Sequence, residues 1–216
     1  MSFKIITFHT ASHNGLYDTY FLPSLLRHEP DARVEDYIVS VESDGDFLSL
    51  GFQRTIYLRL VGQLRAMENY GPDDILLSMD VDMVILRPFL ADLRERMERD
   101  HLDIVYQSED PEEGMNAGLF AFRCNSRMRG FLYDVLVAAL ASGGHMLEQY
   151  WMNELLPTSG LHYGLLPPSL YPNATNRGLC EDSLLYHATC TDPRDGRSSI
   201  ELKTEVMHSL VNTGVG

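Results

Sequence analysis

The chain has 216 residues, 44% of them hydrophobic and 10% aromatic, which suits one globular α/β domain with a sizeable core and excludes a disordered protein. Its formal charge of −14 argues against a nucleic-acid partner, since affinity for a phosphate backbone comes from Lys and Arg, and no apolar run reaches the roughly 18 residues of a membrane span. Cys124, Cys180 and Cys190 have no metal-site spacing and leave one thiol unpaired in any disulfide scheme, which favours a reducing cytoplasm.

Strand-like and helix-like segments alternate along the chain, beginning with a first strand, and not a signal peptide, at the N-terminus. The predicted strands are 4–10, 33–41, 75–79, 83–86, 102–107 and 117–123, with a short one at 183–188. The predicted helices are 19–28, 53–70, 89–100, 126–144 and 146–156. This alternation is typical of a mostly parallel central sheet with helices on both faces. No repeat or linker divides the chain, so we expect one domain over residues 1–216 with an irregular C-terminal third.

Two aspartates, Asp80 and Asp82, follow the apolar segment "ILLSM" and precede a second apolar run. In extended chain, residues i and i+2 point to the same side, so both carboxylates can converge on one cation. Burying them is costly unless a charge compensates, and a divalent metal ion would do so. The alternative is a pair of loop aspartates that cap a turn. A second pair, Asp44 and Asp46, has glycine between its members and no apolar run behind it, which predicts a solvated turn.

Two enzyme classes share the local pattern "SMDVDMV". Phosphatases of the haloacid dehalogenase type have Asp-x-Asp-x-Thr/Val after a strand, with the first aspartate as nucleophile and a lysine further along the chain. Here the motif lies far from the N-terminus, and the only later lysine, Lys203, is not followed by paired aspartates. The match is therefore local, and the phosphatase remains the alternative enzyme.

The second class matches along most of the chain. The blocks "IYLRLVGQL", "DILLSMDVDMVILRPF", "MNAGLFAF", "EQYWMNELL" and "YHAT" occur in this order between about residues 56 and 189. Together they resemble the blocks of retaining nucleotide-diphospho-sugar transferases with the GT-A fold, a group that includes bacterial lipopolysaccharide galactosyltransferases and glycogenins. The resemblance covers roughly residues 3–190. The resemblance implies a single Rossmann-like GT-A domain. It also implies a function: transfer of a sugar from a nucleoside diphosphate, with UDP expected, to an unknown sugar, lipid or protein acceptor with retention of configuration.

Carried over residue by residue, the resemblance implies a metal site of Asp80, Asp82 and His187 that holds Mn²⁺ or Mg²⁺ against the donor diphosphate. It places Gln149 beneath the anomeric carbon, with Glu148 beside it where the family has an aspartate. The expected nucleotide-sugar contacts are Thr10, Tyr17, Tyr20, Arg59, Val81, Asn116, Ala117, Gly118 and Lys203. Arg194 and Arg197 are alternative cations for the diphosphate, because Lys203 lies far beyond His187 in sequence.

The residues alone leave other interpretations open. On these interpretations His187 is an ordinary strand-end histidine and Arg59 lies on a helix surface. Residues 115–118 form a plain turn, and residues 148 and 149 are helix-surface polar residues. A non-catalytic module that binds a nucleotide sugar would need only the metal pair and a base pocket.

Overall fold

The structure is a computed structural model that describes residues 3–40, 50–109, 114–143, 147–175, 178–189 and 193–212. The strands are β1 (Phe3–His9), β2 (Val34–Ile38), β3 (Ile75–Met79), β4 (Met83–Ile85), β5 (Ile104–Ser108), β6 (Met115–Arg123), β7 (Tyr163–Leu165) and β8 (Leu185–His187). The helices are α1 (Asn14–Leu16), α2 (Leu22–His28), α3 (Leu50–Ala66), α4 (Leu90–Arg99), α5 (Ser126–Ala141), α6 (Glu148–Leu155) and α7 (Ser199–Asn212). A π-helical turn, Tyr17–Phe21, joins α1 to α2. The predicted turn at Asp44 and Asp46 lies outside the described residues.

The central sheet has six strands in the order β2-β1-β3-β6-β5-β7. β1 pairs in parallel with β2 and β3, and β5 pairs in parallel with β7. Only β6 runs against its neighbours, antiparallel to both β3 and β5. Five of the six strands therefore point the same way, which confirms the predicted mostly parallel α/β sheet.

Strand residues alternate between the two faces of this sheet, as the period of an extended chain requires. In β1, Ile6 belongs to the apolar cluster under α3, α5 and α6, whereas Ile5 belongs to the cluster that includes residues of α2 and α4. In β3, Leu76 and Leu77 divide in the same way. Helices therefore cover both faces, as predicted, and the strands are apolar on both sides because neither face meets water.

A second, two-stranded sheet made of β4 and β8 lies on the α2/α4 side of the first one. Its antiparallel register sets Met83 opposite His187. Val84 and Leu86 pack outward into a third cluster with Leu16 and with Met207 of α7. The small sheet is thus held between the large sheet and a layer formed by α1 and α7.

Two elements of the C-terminal third have no counterpart in the predicted elements. β7 is three residues long and extends the edge of the sheet beside β5. α7 packs Leu202 and Met207 inward, and six of its 14 residues are exposed. Among the described residues, no helix has the length and apolar character that a bilayer crossing needs.

Candidate active site

A cavity opens at the carboxyl ends of β1 and β3, which is where open α/β sheets bind ligands. Most of the side chains singled out from the sequence line it. They are Thr10, Arg59, Asp80, Val81, Asp82, Asn116, Gly118, Glu148, Gln149 and Lys203. These residues come from six separate segments of the chain, so folding alone brings them together.

Four of the predicted site residues lie outside the cavity lining. His187 is buried behind Asp80 and Asp82, and Ala117 contributes its backbone N–H, which donates to Gln149 Oε1 at 3.0 Å. Tyr17 stacks on the ring of His9, with centroids 5.1 Å apart. Tyr20 is buried in the cluster with α7, where it meets the ring of His208 edge-on. The structure therefore does not bring Tyr17 or Tyr20 to the cavity surface.

The two aspartates and His187 form a compact group of possible metal ligands. One ligand atom from each residue lies within 4.8 Å of those of the other two. His187 Nε2 is 3.1 Å from Asp82 Oδ1 and 4.0 Å from Asp80 Oδ2. The β4–β8 pairing explains this arrangement, because Asp82 immediately precedes Met83, the strand partner of His187.

Two observations indicate that this group fits a cation. Asp82 Oδ1 and His187 Nε2 are both buried, and within the described residues neither has a hydrogen-bond partner. A buried acceptor without a partner costs free energy, which a shared cation would recover. Gly118 also lies against this group, since a Cβ there would come 2.6 Å from Asp80 Oδ2. One nitrogen and carboxylate oxygens from two residues are a suitable ligand set for a divalent ion.

Two cationic side chains neutralise the aspartates in the structure. Arg59 Nη1 lies 2.6 Å from Asp80 Oδ1, and its Nη2 contacts the buried carboxylate of Glu148. Lys203 Nζ lies 2.7 Å from Asp82 Oδ2. Burial acts to raise the pKa of the Asp82 carboxyl, but opposing interactions led by the Lys203 ammonium hold that pKa well below its usual range.

Lys203 is the C-terminal cation that reaches the cavity. Arg194 is exposed, and Arg197 pairs with Glu205 at 2.5 Å on the protein surface. Lys203 reaches Asp82 because α7 packs against the outer side of β4 through Met207.

The blocks "MNAG" and "EQYWMN" are held together by hydrogen bonds between β6 and α6. Asn153 Oδ1 accepts from the Met115 N–H at 2.6 Å, and its Nδ2 donates to the Met115 carbonyl at 3.1 Å. Gln149 joins the same contact through Ala117. Glu148 and Gln149 are therefore turned inward, which contradicts the alternative interpretation that they are helix-surface residues. Glu148 is only 2% exposed.

Several cavity residues were not predicted from the sequence. They are Phe8, His9, His13, Phe52, Thr55, Ile56, Glu109, Leu147 and Thr189. His13 shares hydrogen bonds with the hydroxyls of Thr10 and Ser12, and burial together with Lys203 lowers the pKa of its imidazole. Its position in a polar loop directly after β1 was the available signal, because parallel strands end at this edge.

Comparison with solved structures reveals a shared fold. A glycosyltransferase involved in glycosylation of the major capsid of PBCV-1 aligns with a TM-score of 0.64 and 13% identity over 96% of this chain and 100% of the other. Mouse xyloside xylosyltransferase 1 aligns with a TM-score of 0.58 and 14% identity, over 89% and 99% of the two chains. The galactosyltransferase LgtC, solved with donor and acceptor sugar analogs, aligns with a TM-score of 0.57 and 13% identity, over 97% and 96%.

No protein-family model matches the sequence, and no curated protein sequence does so. At these identities the structural likeness concerns the fold, which is that of GT-A glycosyltransferases, as the resemblance of the sequence blocks implied.

Proposed function

We propose that this protein is a metal-dependent glycosyltransferase that moves a sugar from a nucleoside diphosphate, with UDP as the expected nucleotide, to an acceptor with retention of configuration. The observation that carries the proposal is the group Asp80, Asp82 and His187 at the rim of a cavity in this fold. Two of its buried atoms, Asp82 Oδ1 and His187 Nε2, have no hydrogen-bond partner in the described part of the chain, and a cation would compensate for this. The shared fold with known glycosyltransferases supports sugar transfer over phosphate hydrolysis.

The balance of charge supports a metal-bridged diphosphate. Asp80, Asp82, Glu109 and Glu148 line the cavity with two cations, Arg59 and Lys203, so that carboxylates exceed the permanent cations. A diphosphate entering such a site needs further positive charge. A bound divalent ion supplies it and neutralises the departing nucleoside diphosphate, and the imidazole of His187 favours Mn²⁺ over Mg²⁺.

The chain's own residues then have distinct tasks. We expect Lys203 and Arg59 to contact the diphosphate, since each pairs with one of the aspartates that would hold the metal ion. Glu148 orients the Arg59 guanidinium. Gln149 lines the cavity and its Oε1 accepts from the Ala117 N–H. We expect it to face the anomeric carbon, where positive charge develops in the transition state.

Ligand-induced stabilisation tests the metal bridge. We expect UDP at one hundred times its dissociation constant to raise the free energy of unfolding by about 2.7 kcal/mol when Mn²⁺ is present. For a chain of this size that gain corresponds to a rise in Tm of roughly 5–11 °C. Equal stabilisation by UDP in EDTA would show that no metal ion bridges the protein and the diphosphate.

A matched pair of variants locates the effect. Asp82→Asn keeps the size of the side chain but loses its charge, and we expect it to abolish Mn²⁺-dependent binding of UDP. Asp134→Asn makes the same change at an exposed position on α5 and should leave binding unchanged. Release of UDP from a UDP-sugar by the wild-type chain then separates an enzyme from a binding module. Metal-dependent binding without turnover of any sugar nucleotide would favour the module.

A further inference from the structure

We propose that Gln107 is a positioning residue that fixes the tautomer of His187 and so points the Nε2 lone pair of that ring at the metal site. The importance of this role for sugar transfer rests on the proposed function. The role itself is visible in the metal-free protein, where it concerns one buried amide and one buried ring.

The contacts around Gln107 leave its amide only one orientation. Its side chain is fully buried at the end of β5, and Nε2 lies 3.0 Å from the Tyr171 carbonyl oxygen and 3.1 Å from that of Pro172. Carbonyl oxygens only accept hydrogen bonds, so the NH₂ group must face them. The amide oxygen therefore faces the other way, where it lies 2.8 Å from His187 Nδ1.

This orientation determines where the proton of the imidazole lies. The Gln107 oxygen only accepts, so His187 Nδ1 must carry hydrogen and donate it. In the neutral ring, Nε2 is then an unprotonated acceptor that faces Asp82 Oδ1 across 3.1 Å. Two acceptors in contact repel each other, but the same pair is well arranged to bind a cation. Partners of this kind set the tautomer of metal-binding histidines in general.

The pairing between β5 and β6 is irregular beside Gln107, with the extra residues on β6. The register between β5 and β6 shifts after Tyr106, which pairs with Phe120, whereas Gln107 pairs with Asn116. Such bulges redirect side chains and are common beside functional sites. The Tyr171–Pro172 segment completes the arrangement, because both of its carbonyls accept hydrogen bonds from the Gln107 amide. Three distant segments, those of Gln107, Tyr171–Pro172 and His187, thus meet at one amide.

Replacing the amide should reverse the tautomer. In Gln107→Met the side chain keeps its length and the ring loses its acceptor at Nδ1. The proton then gains more at Nε2, where Asp82 Oδ1 accepts it at 3.1 Å. Gln107→Glu retains an acceptor for Nδ1–H and, as a neutral acid, a donor for a carbonyl, so it should restore the original tautomer.

Nitrogen-15 NMR of the imidazole side chains in the metal-free protein measures this directly. The spectra are recorded at a pH where the ring is observed to be neutral, because the Nδ1–H and Nε2–H tautomers of a neutral imidazole have distinct shifts. The His187 signal is assigned by its loss in His187→Asn. We expect Nδ1–H in the wild type and in Gln107→Glu, and Nε2–H in Gln107→Met. An Nε2–H tautomer in the wild type, or no change in Gln107→Met, would overturn the proposal.

Mn²⁺ titration by calorimetry gives the functional readout. We expect Gln107→Met to weaken Mn²⁺ binding by about 10- to 100-fold, in line with other partners of metal-bound histidines, and Gln107→Glu to recover most of it. Gln63→Met is the matched control, because Gln63 is also buried and hydrogen-bonded, to Ser78, but does not contact His187. A control that weakens binding equally would assign the loss to general destabilisation and refute a specific role.

The two readouts separate this proposal from the proposed function. If the wild-type protein binds no divalent metal, the proposed function fails while the tautomer measurement still decides the role of Gln107. If Gln107→Met does not fold, the wild-type tautomer and the Gln107→Glu variant still decide it, since a wild-type Nε2–H or a Gln107→Glu protein with the Nε2–H tautomer contradicts the argument.

Discussion

Gly118→Ala tests how tightly the candidate site is packed. A Cβ at this position would lie 2.6 Å from Asp80 Oδ2 and 2.9 Å from Asn116 Oδ1, and closer still to Cε1 of His187. All of these neighbours belong to buried or half-buried side chains. The added methyl must therefore displace Asp80 and His187, two of the possible metal ligands. Overpacking of this kind costs about 1–3 kcal/mol, which we expect as a loss in the free energy of unfolding measured in urea. Mn²⁺ affinity should fall about tenfold, equivalent to roughly 1.4 kcal/mol.

Gly130→Ala provides the control with the opposite sign. Gly130 lies within α5 and a Cβ there meets nothing within 4 Å. Alanine in an exposed helix interior is favoured over glycine by about 0.5–1 kcal/mol, so this variant should be more stable and bind Mn²⁺ like the wild type. Equal stability and equal Mn²⁺ affinity of Gly118→Ala and Gly130→Ala would contradict the inference that Gly118 is closely packed at the site.

Three further predictions concern Gln149, Lys203 and Glu29. Gln149→Ala should lower kcat at least about tenfold, equivalent to about 1.4 kcal/mol, with little change in the KM for the donor. The reason is that the interaction of Gln149 with the anomeric carbon strengthens only in the transition state. An unchanged kcat in steady-state kinetics would show that Gln149 has only a structural role. Lys203→Met should strengthen binding of Mn²⁺ alone, since Nζ lies 2.7 Å from Asp82 Oδ2 and repels a cation, but weaken Mn²⁺-dependent UDP binding about tenfold. Calorimetry showing weaker Mn²⁺ binding would contradict this. Glu29→Ala should lower the free energy of unfolding in urea by about 1–2 kcal/mol without changing Mn²⁺ affinity. The reason is that Glu29 Oε1 accepts from the backbone N–H groups of residues 89 and 90 at 2.6 and 2.8 Å, at the start of α4. A loss of Mn²⁺ affinity instead would indicate that Glu29 is part of the site.

The candidate metal pair was accessible from the sequence because its signal is local. Asp80 and Asp82 directly follow a segment whose five residues are all buried in the structure, and the spacing of two residues turns both toward one side. The alternation of strands and helices is local in the same sense. For this reason the mostly parallel sheet with helices on both faces was predicted correctly.

The identity of the C-terminal cation could not be read from the sequence alone. Arg194, Arg197 and Lys203 all follow His187, and the sequence gives no distance from any of them to the aspartates. The structure decides the choice through α7, whose buried face places Lys203 against Asp82 and leaves the two arginines on the surface. That helix was not predicted, so its lysine had no assigned position.

Three of the predicted nucleotide-sugar contacts show a second limit of the sequence. The loop after β1 offered Thr10, Tyr17 and Tyr20 as equivalent polar or aromatic candidates. In the structure Thr10 lines the cavity, whereas Tyr20 is buried beneath α7. A helical turn decides which side chains face inward, and a π-helical segment such as Tyr17–Phe21 changes that phase.

The sequence by itself determined the carboxylate pair, its place at a strand end and the class of fold, because these follow from neighbouring residues and from hydrophobic periodicity. Only the tertiary structure decided what surrounds the pair. Gln107 and His187 are 80 positions apart, and Arg59 and Glu148 are 89 apart. Contacts over such separations depend on strand order, on the β5 register shift and on helix packing. No local pattern of residues contains that information.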